Sequence, residues 1–347
     1  MTPQDGNKRD SIEDNPNSLH DIHIAKRGPK NIPKMVVPLS NAPEHQAKDP
    51  GHPYAQAKHM KFDFFDQRIS NAPFGYEHFV SLPPSYEQDL DKRWPLILFL
   101  HGAGESQRGK NESFASIRHG IPKVVLCYDK LKSNPNSSED PSIEIPLAPR
   151  LRKSKQTGQG DRSTQPVPRE TCELVAENFI TVTPSLNMDN GYGWDAAVLS
   201  ALLDEIVERY RVDADRIHIT GFSMGGYGTW DLALHSPKRF ATLSPICGGG
   251  DRLRAVHIKH VPHWVFHGDQ DDIIPVKASI QMVEALEKAD AREVKFKRYP
   301  DLKHDSWTPT YNEPELYRWM LSHKREVSGD EEVVPKENKI VLGEENA

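Results

Sequence analysis

The sequence predicts an α/β protein, a mostly parallel sheet with a leading antiparallel strand pair and helices on both faces. Short apolar runs alternate with helix-like segments from about residue 60 onward, the pattern of β-helix-β units. One of these runs, Trp94 to Leu100 (Trp-Pro-Leu-Ile-Leu-Phe-Leu), is continuously apolar, as expected of a strand buried on both faces. A third observation is Gly221-Phe222-Ser223-Met224-Gly225-Gly226, which sits between an apolar run and a helix-like segment.

The elements follow in chain order. Lys61 to Ile69 alternates and carries Phe62, Phe64 and Phe65, and Tyr76 to Leu82 ends at Pro83-Pro84. Together they read as the leading antiparallel pair. Trp94 to Leu100 is the first buried strand, followed by the helix-like Phe114 to Leu126. Further strands are read at Phe179–Val182, Ile217–Thr220, Phe240–Ile246, Trp264–Phe266 and Val294–Tyr299. Helical periodicity lies at Trp194–Tyr210, Gly225–His235, Val276–Ala289 and Pro314–His323.

The 347 residues could hold one large or two small domains. Only 36% are hydrophobic and mean hydropathy is -0.67, so polar segments dilute a normal core. Residues 1–58 are rich in Pro, Asn, Asp, Lys and His and read as a disordered leader. Its basic piece Lys26-Arg27-Gly28-Pro29-Lys30 could be a targeting or partner motif, with a solvated tail the favoured reading. Residues 59–325 read as one α/β domain, with a long polar insertion at about 129–172. Right-handed crossovers put helix-to-strand connections at the amino-terminal edge of a parallel sheet. The insertion is therefore expected to be rooted opposite the site and not to act as a lid. Residues 326–347 are acidic and read as a disordered tail.

A net charge of -6 gives no electrostatic case for binding nucleic acid. Cys127, Cys172 and Cys247 are scattered, with no metal-ligand spacing or disulfide framework. The first ten residues have no apolar core, and no window approaches the ~18 apolar residues of a membrane span. The expectation is a cytoplasmic protein with no membrane span.

A strand, a serine between glycines and a helix describe a turn that lifts the serine hydroxyl clear of the sheet. The turn leaves no room for side chains two residues either side of Ser223, so Gly221 and Gly225 are steric requirements. The backbone N–H of Met224, at the helix start, can face a developing oxyanion. A serine hydroxyl is a poor nucleophile at neutral pH and needs a base, itself oriented by an acid. The acid candidates are Asp269, Asp271 and Asp272, on the loop after the strand Trp264–Phe266. Any of the three could equally serve a turn or cap a helix. The base candidate is His304, on the loop after Val294–Tyr299. All these loops lie at the carboxyl edge, where open α/β sheets place their sites. The small residues of His101-Gly102-Ala103-Gly104-Glu105 let backbone approach a bound carbonyl, so the Ala103 N–H would pair with that of Met224. His101 is read as structural. Met188, Tyr192, Trp194 and Trp307 could line a substrate pocket, with packing as the alternative for both tryptophans, and Trp230 reads as core.

These segments, with Asp215 to Trp230, Pro245-Ile246-Cys247-Gly248-Gly249 and His304-Asp305-Ser306-Trp307, resemble the α/β-hydrolase superfamily. The resemblance is nearest to its phospholipase/carboxylesterase-like, dienelactone-hydrolase-like and predicted-peptidase group, and covers roughly residues 60–325 without the insertion. In that group the acid lies in His-Gly-x-x-Asp-x-x-Val-Pro. Here the pattern maps onto His267 to Pro275, with isoleucine for valine, and selects Asp271. A second departure is Ser106-Gln107, which separates the glycine loop from Arg108-Gly109. The resemblance implies a Ser223–His304–Asp271 triad and an acyl-enzyme intermediate, with no cofactor or metal and a small-molecule ester as substrate. A serine peptidase would use the same triad. A non-catalytic interaction protein would carry a damaged triad, and no damage is visible.

Overall fold

The computed structural model describes residues 60–64, 76–107, 113–145, 162–188 and 193–325. The leader, the acidic tail, and residues 65–69 of the first predicted strand lie outside these. One sheet carries eight strands: β1 (Met60–Phe64), β2 (Glu77–Ser81), β3 (Trp94–Leu100), β4 (Ile180–Ser185), β5 (Val212–Phe222), β6 (Thr242–Ile246), β7 (His263–Gly268) and β8 (Val294–Tyr299). Their order in space is β1-β2-β4-β3-β5-β6-β7-β8. The pairs β1–β2 and β2–β4 are antiparallel, and every other pair is parallel. The expected antiparallel lead into a parallel sheet is therefore present. The helices are α1 (Gly120–Ser133), α2 (Arg169–Asn178), α3 (Ala196–Arg209), α4 (Met224–His235), α5 (Lys277–Lys288), α6 (Trp307–Tyr311) and α7 (Pro314–Leu321).

The strand β3 explains the two layers. All seven of its residues are buried, so both faces must be covered. Leu96, Leu98 and Leu100 enter one core with Leu199 of α3, Trp230 of α4 and Met282 of α5. Ile97 and Phe99, on the alternate face, enter the other with Val124 of α1, Val175 of α2 and Leu316 of α7. Each such side chain contributes about 1.5–3 kcal/mol by leaving water. Helix α3 starts where Asp195 accepts from the N–H groups of Ala197 and Val198.

The elements depart from the expected ones where polarity hides a strand or helix. β5 begins at Val212, five residues before the expected Ile217, because its first half is charged: Arg216 pairs with Asp213 at 2.6 Å. Helix α2 lies partly inside the predicted insertion. Its outer face is acidic, while Thr171, Cys172, Val175 and Ala176 are buried. Helix α1 starts at Gly120, not near Phe114, after a 3-10 stretch Ser113–Ile117. Gly120 has φ +67, and a Cβ there would meet the Phe99 ring at 2.3 Å.

The described residues of the insertion leave from the end of α1 and extend beyond the edge where it is rooted. Helix α1 does run away from the site, but the following chain climbs back along it. Lys130 Nζ donates to Ser142 O at 2.7 Å, and Lys123 Nζ to Gln165 O at 2.7 Å. At the top, the buried Arg118 donates to Ile145 O at 3.3 Å and to Ser163 Oγ at 2.9 Å. Ile145 and Ser163 are therefore tied beside His119, whose ring packs edge-on against Phe222 and Trp307. All three cysteines are free and buried. No helix among the described residues is long and apolar enough to cross a membrane.

Candidate active site

Between the last residue of β5 and the first of α4 there is one residue, Ser223. It has φ 55 and ψ -119, a conformation that costs a non-glycine residue about 1–3 kcal/mol. Surrounding hydrogen bonds hold it there: Ser223 N donates to Ile246 O at 3.0 Å, and Tyr227 N donates to Ser223 O at 3.2 Å. The glycines make the turn possible, since a Cβ on Gly221 would lie 2.4 Å from the Gly225 carbonyl oxygen.

His304 comes from the loop after β8 and reaches the serine. Its Nε2 lies 2.9 Å from Ser223 Oγ, and its Nδ1 lies 2.8 Å from Asp271 Oδ2. A carboxylate can only accept, so Nδ1 carries the proton and Nε2 is free to accept from the hydroxyl. The three candidate acids separate by geometry. Asp269 pairs with Arg298 at 2.6 Å and Asp272 with Lys303 at 3.1 Å, both toward solvent. Only Asp271 faces His304, and its side chain is fully buried. Its Oδ1 accepts from the N–H groups of Ile273 and Ile274, each at 2.9 Å. Burial pushes the Asp271 carboxyl up, but hydrogen bonds from His267 and His304 outweigh it and hold the group well below the usual carboxylate range.

Ala103 is the first residue of a 3-10 turn, Ala103–Glu105, and Met224 is the first residue of α4. First-turn N–H groups have no intrahelical acceptor, so both start helices with a donor to spare. The loop before Ala103 is locked by His101. The His101 Nε2 accepts from Leu186 N at 3.0 Å, so Nδ1 bears the proton and donates to Gly102 O at 2.8 Å. Burial pushes this imidazole down to about 4, which keeps it neutral, as a structural role requires. Replacing His101 with Leu should lower stability by about 1–3 kcal/mol, because the buried Leu186 N–H loses its acceptor while Gly102 O keeps only the bond from Glu105 N. Urea denaturation measures this, and an unchanged midpoint would show that the loop is held by other means.

Trp307 is half-buried and stacks on Phe222 at 4.4 Å, with its ring edge-on to His304 at 5.3 Å. Trp194, read as either a pocket residue or a packing residue, lies in the core. It packs edge-on against Tyr76 and His101, and its indole N–H donates to His101 O at 3.2 Å. It supports the glycine loop from beneath, where Gly228 leaves room for its ring. Met188 packs partly buried against the same core, and Tyr192 lies outside the described residues. Cys247 was not singled out by sequence reasoning. It has φ 40, and its sulfur lies within 4.8 Å of donor atoms of Asp271 and His304. These three could in principle ligate a metal. The donor chemistry argues against it, because Asp271 and His304 are bonded to each other and the thiol is pushed up by burial and by Asp271.

Comparison with known proteins fits this geometry. Residues 189–312 match the Phospholipase/Carboxylesterase family. A bifunctional acetylxylan esterase/xylanase of Neocallimastix patriciarum is 30% identical over 95 residues, which are 27% of this chain and 13% of that protein. A Salmonella typhimurium protein named as a carboxymethylenebutenolidase is 27% identical over 177 residues, covering 42% of this chain and 65% of its own. A solved thermostable esterase superposes with TM-score 0.51 at 25% identity, over 72% of this chain and 59% of that one. The chain thus spans less than two thirds of the length of each of these relatives. With its antiparallel lead, its parallel sheet and the serine turn between β5 and α4, the chain has the α/β-hydrolase fold.

Proposed function

We propose that this protein is a serine carboxylesterase acting on small-molecule esters of small or medium acyl groups. The observation that carries the reading is the continuous chain from Ser223 Oγ to His304 Nε2 at 2.9 Å and from His304 Nδ1 to Asp271 Oδ2 at 2.8 Å. Ser223 Oγ bonds to the acyl carbonyl carbon while its proton passes to His304 Nε2. The carbonyl oxygen becomes an oxyanion, held by the N–H groups of Ala103 and Met224, each worth about 2.7–4 kcal/mol in the transition state. The ester C–O bond then breaks, and the proton on His304 goes to the departing alcohol. Water, deprotonated by His304, attacks the acyl carbon, the bond from that carbon to Ser223 Oγ breaks, and His304 returns the proton to Oγ as the acid leaves. Asp271 stays ionised throughout and stabilises the imidazolium. Every proton moves between groups of the chain, substrate and water. Trp307, beside both Phe222 and His304, is the aromatic best placed to wall the substrate site.

A p-nitrophenyl ester series of increasing acyl length tests the reading, with a chromogenic peptide alongside and fluorophosphonate labelling of the full chain. The expected result is labelling, and turnover highest on short or medium esters. Turnover of the peptide above every ester would replace the esterase by a peptidase. No labelling and no turnover at all would remove the hydrolase reading.

A further inference from the structure

We infer that His267 is a positioning residue for the Ser223–His304–Asp271 chain: its Nε2–H is a second imidazole donor to Asp271, and it limits how much of that charge reaches His304. The inference rests on the esterase reading for its meaning in turnover, and on hydrogen-bond geometry for its existence.

His267 lies near the carboxyl end of β7, with its side chain fully buried. Its Nε2 faces two groups that can only accept, Asp271 Oδ2 at 3.1 Å and Ile274 O at 2.9 Å. Nε2 must therefore carry a proton and donate. Its Nδ1 lies 2.7 Å from the hydroxyl of Ser279 on α5, and that hydroxyl also reaches Gly248 O at 3.1 Å. The ring is thus fixed from α5 on one side and from the acid loop on the other.

Asp271 consequently receives four donors: two backbone N–H groups on Oδ1, and His304 and His267 together on Oδ2. A carboxylate offers about four lone-pair sites, so none is spare. Two imidazole donors on one oxygen compete, and charge polarised toward His267 is withheld from His304. Removing the His267 donor has two separable consequences. The His304–Asp271 bond strengthens, so the pair holds its proton to higher pH. The carboxylate also loses one restraint on its rotation, so fewer molecules hold the productive geometry. Loss of a loop contact alone would produce neither the first effect nor its rescue.

Among the described residues, other titratable or charged groups acting on this pair are Tyr227 of α4, Cys247 after β6, and Asp305 beside His304, itself influenced by Arg162. The pair Lys303–Asp272 flanks it on the solvent side. All are unchanged in the variants below.

The experiment compares full-length wild type, His267→Leu and His267→Gln. It follows kcat/KM on p-nitrophenyl acetate against pH, and the low-field proton resonance of the His304–Asp271 hydrogen bond by NMR. His267→Leu should move the acid limb of kcat/KM up by roughly 0.5–1 pH unit, the effect of losing one donor to a shared carboxylate. It should lower kcat by roughly 10-fold and shift the resonance further downfield. His267→Gln, which keeps a donor near the Nε2 position, should return the limb and the resonance toward wild type. An unmoved limb and resonance in folded His267→Leu would overturn the inference and leave His267 a loop anchor only. If His267→Leu does not fold, Ser279→Ala frees the ring and should shift both readouts in the same direction by less. Unmoved readouts there overturn the inference as well. The resonance needs no turnover: if wild type hydrolyses no ester but the signal still shifts, the positioning role stands and the esterase reading falls.

Discussion

Replacing Ser223 with Ala should lower ester hydrolysis by about 10⁴-fold or more and abolish fluorophosphonate labelling, while leaving the fold intact. The substitution deletes one oxygen. Ser223 is only partly buried, and the backbone bonds that hold its strained turn, to Ile246 O and from Tyr227 N, use no side-chain atom. Alanine adopts φ 55 no more easily than serine, so the strain is the same in both proteins and cancels in the comparison. What disappears is the atom to which the proposed mechanism attaches the acyl group. His304 loses the hydroxyl at 2.9 Å but keeps its bond to Asp271 at 2.8 Å, so the rest of the site stays assembled. The N–H groups at Ala103 and Met224 remain, and with substrate binding they can support residual water attack, so the floor need not be the uncatalysed rate. Circular dichroism checks the fold and labelling checks the nucleophile. Undiminished labelling of the variant would move the nucleophile elsewhere.

How much of this site was legible before any coordinates depends on what kind of signal each residue carries. Ser223 was legible because the turn that exposes it excludes side chains, and glycines at 221 and 225 leave a mark in the sequence. His304 was legible as a histidine on a strand-end loop in the right order. Among Asp269, Asp271 and Asp272 the residues alone could not choose. The choice depends on which carboxylate turns inward, and Arg298 and Lys303 draw the other two toward solvent. The sheet was legible wherever a strand is apolar on both faces, as β3 is. It was not where burial is one-sided and charge breaks the run, as in the first half of β5 and in α2. The return of the insertion to Arg118 follows from hydrogen bonds made by single polar side chains, which have no periodicity to read. Trp194 shows the converse limit. An aromatic residue just after a strand-end loop can face the site or support the loop from beneath. Here the space left by Gly228 and the acceptor at His101 O decide for support.

Gly225→Ala should leave little folded protein, with a stability loss of about 4 kcal/mol or more. A Cβ at this position would stand 1.9 Å from Leu100 O, 2.5 Å from Leu100 C and 2.8 Å from His101 O. All three are backbone atoms, so no rotamer change relieves the contact. One of two buried elements has to move. The end of β3 cannot withdraw easily, because Leu100 pairs with Gly221 in β5 and His101 is tied through its ring to Leu186. Helix α4 cannot tilt away without pulling Trp230 from its core and breaking the bond from Ser223 N to Ile246 O. Against a total stability of about 5–15 kcal/mol for an ordinary domain, either movement consumes a large share. The control is Gly104→Ala in the 3-10 turn Ala103–Glu105, where a Cβ would meet nothing within 4 Å. That substitution should change stability by no more than about 0.5 kcal/mol. Soluble yield and thermal midpoint, read side by side, separate the two. A Gly225→Ala protein as stable as Gly104→Ala, and still labelled at Ser223, would mean that the approach of α4 to β3 is looser than these distances. The glycine would then be dispensable to the exposure of the serine.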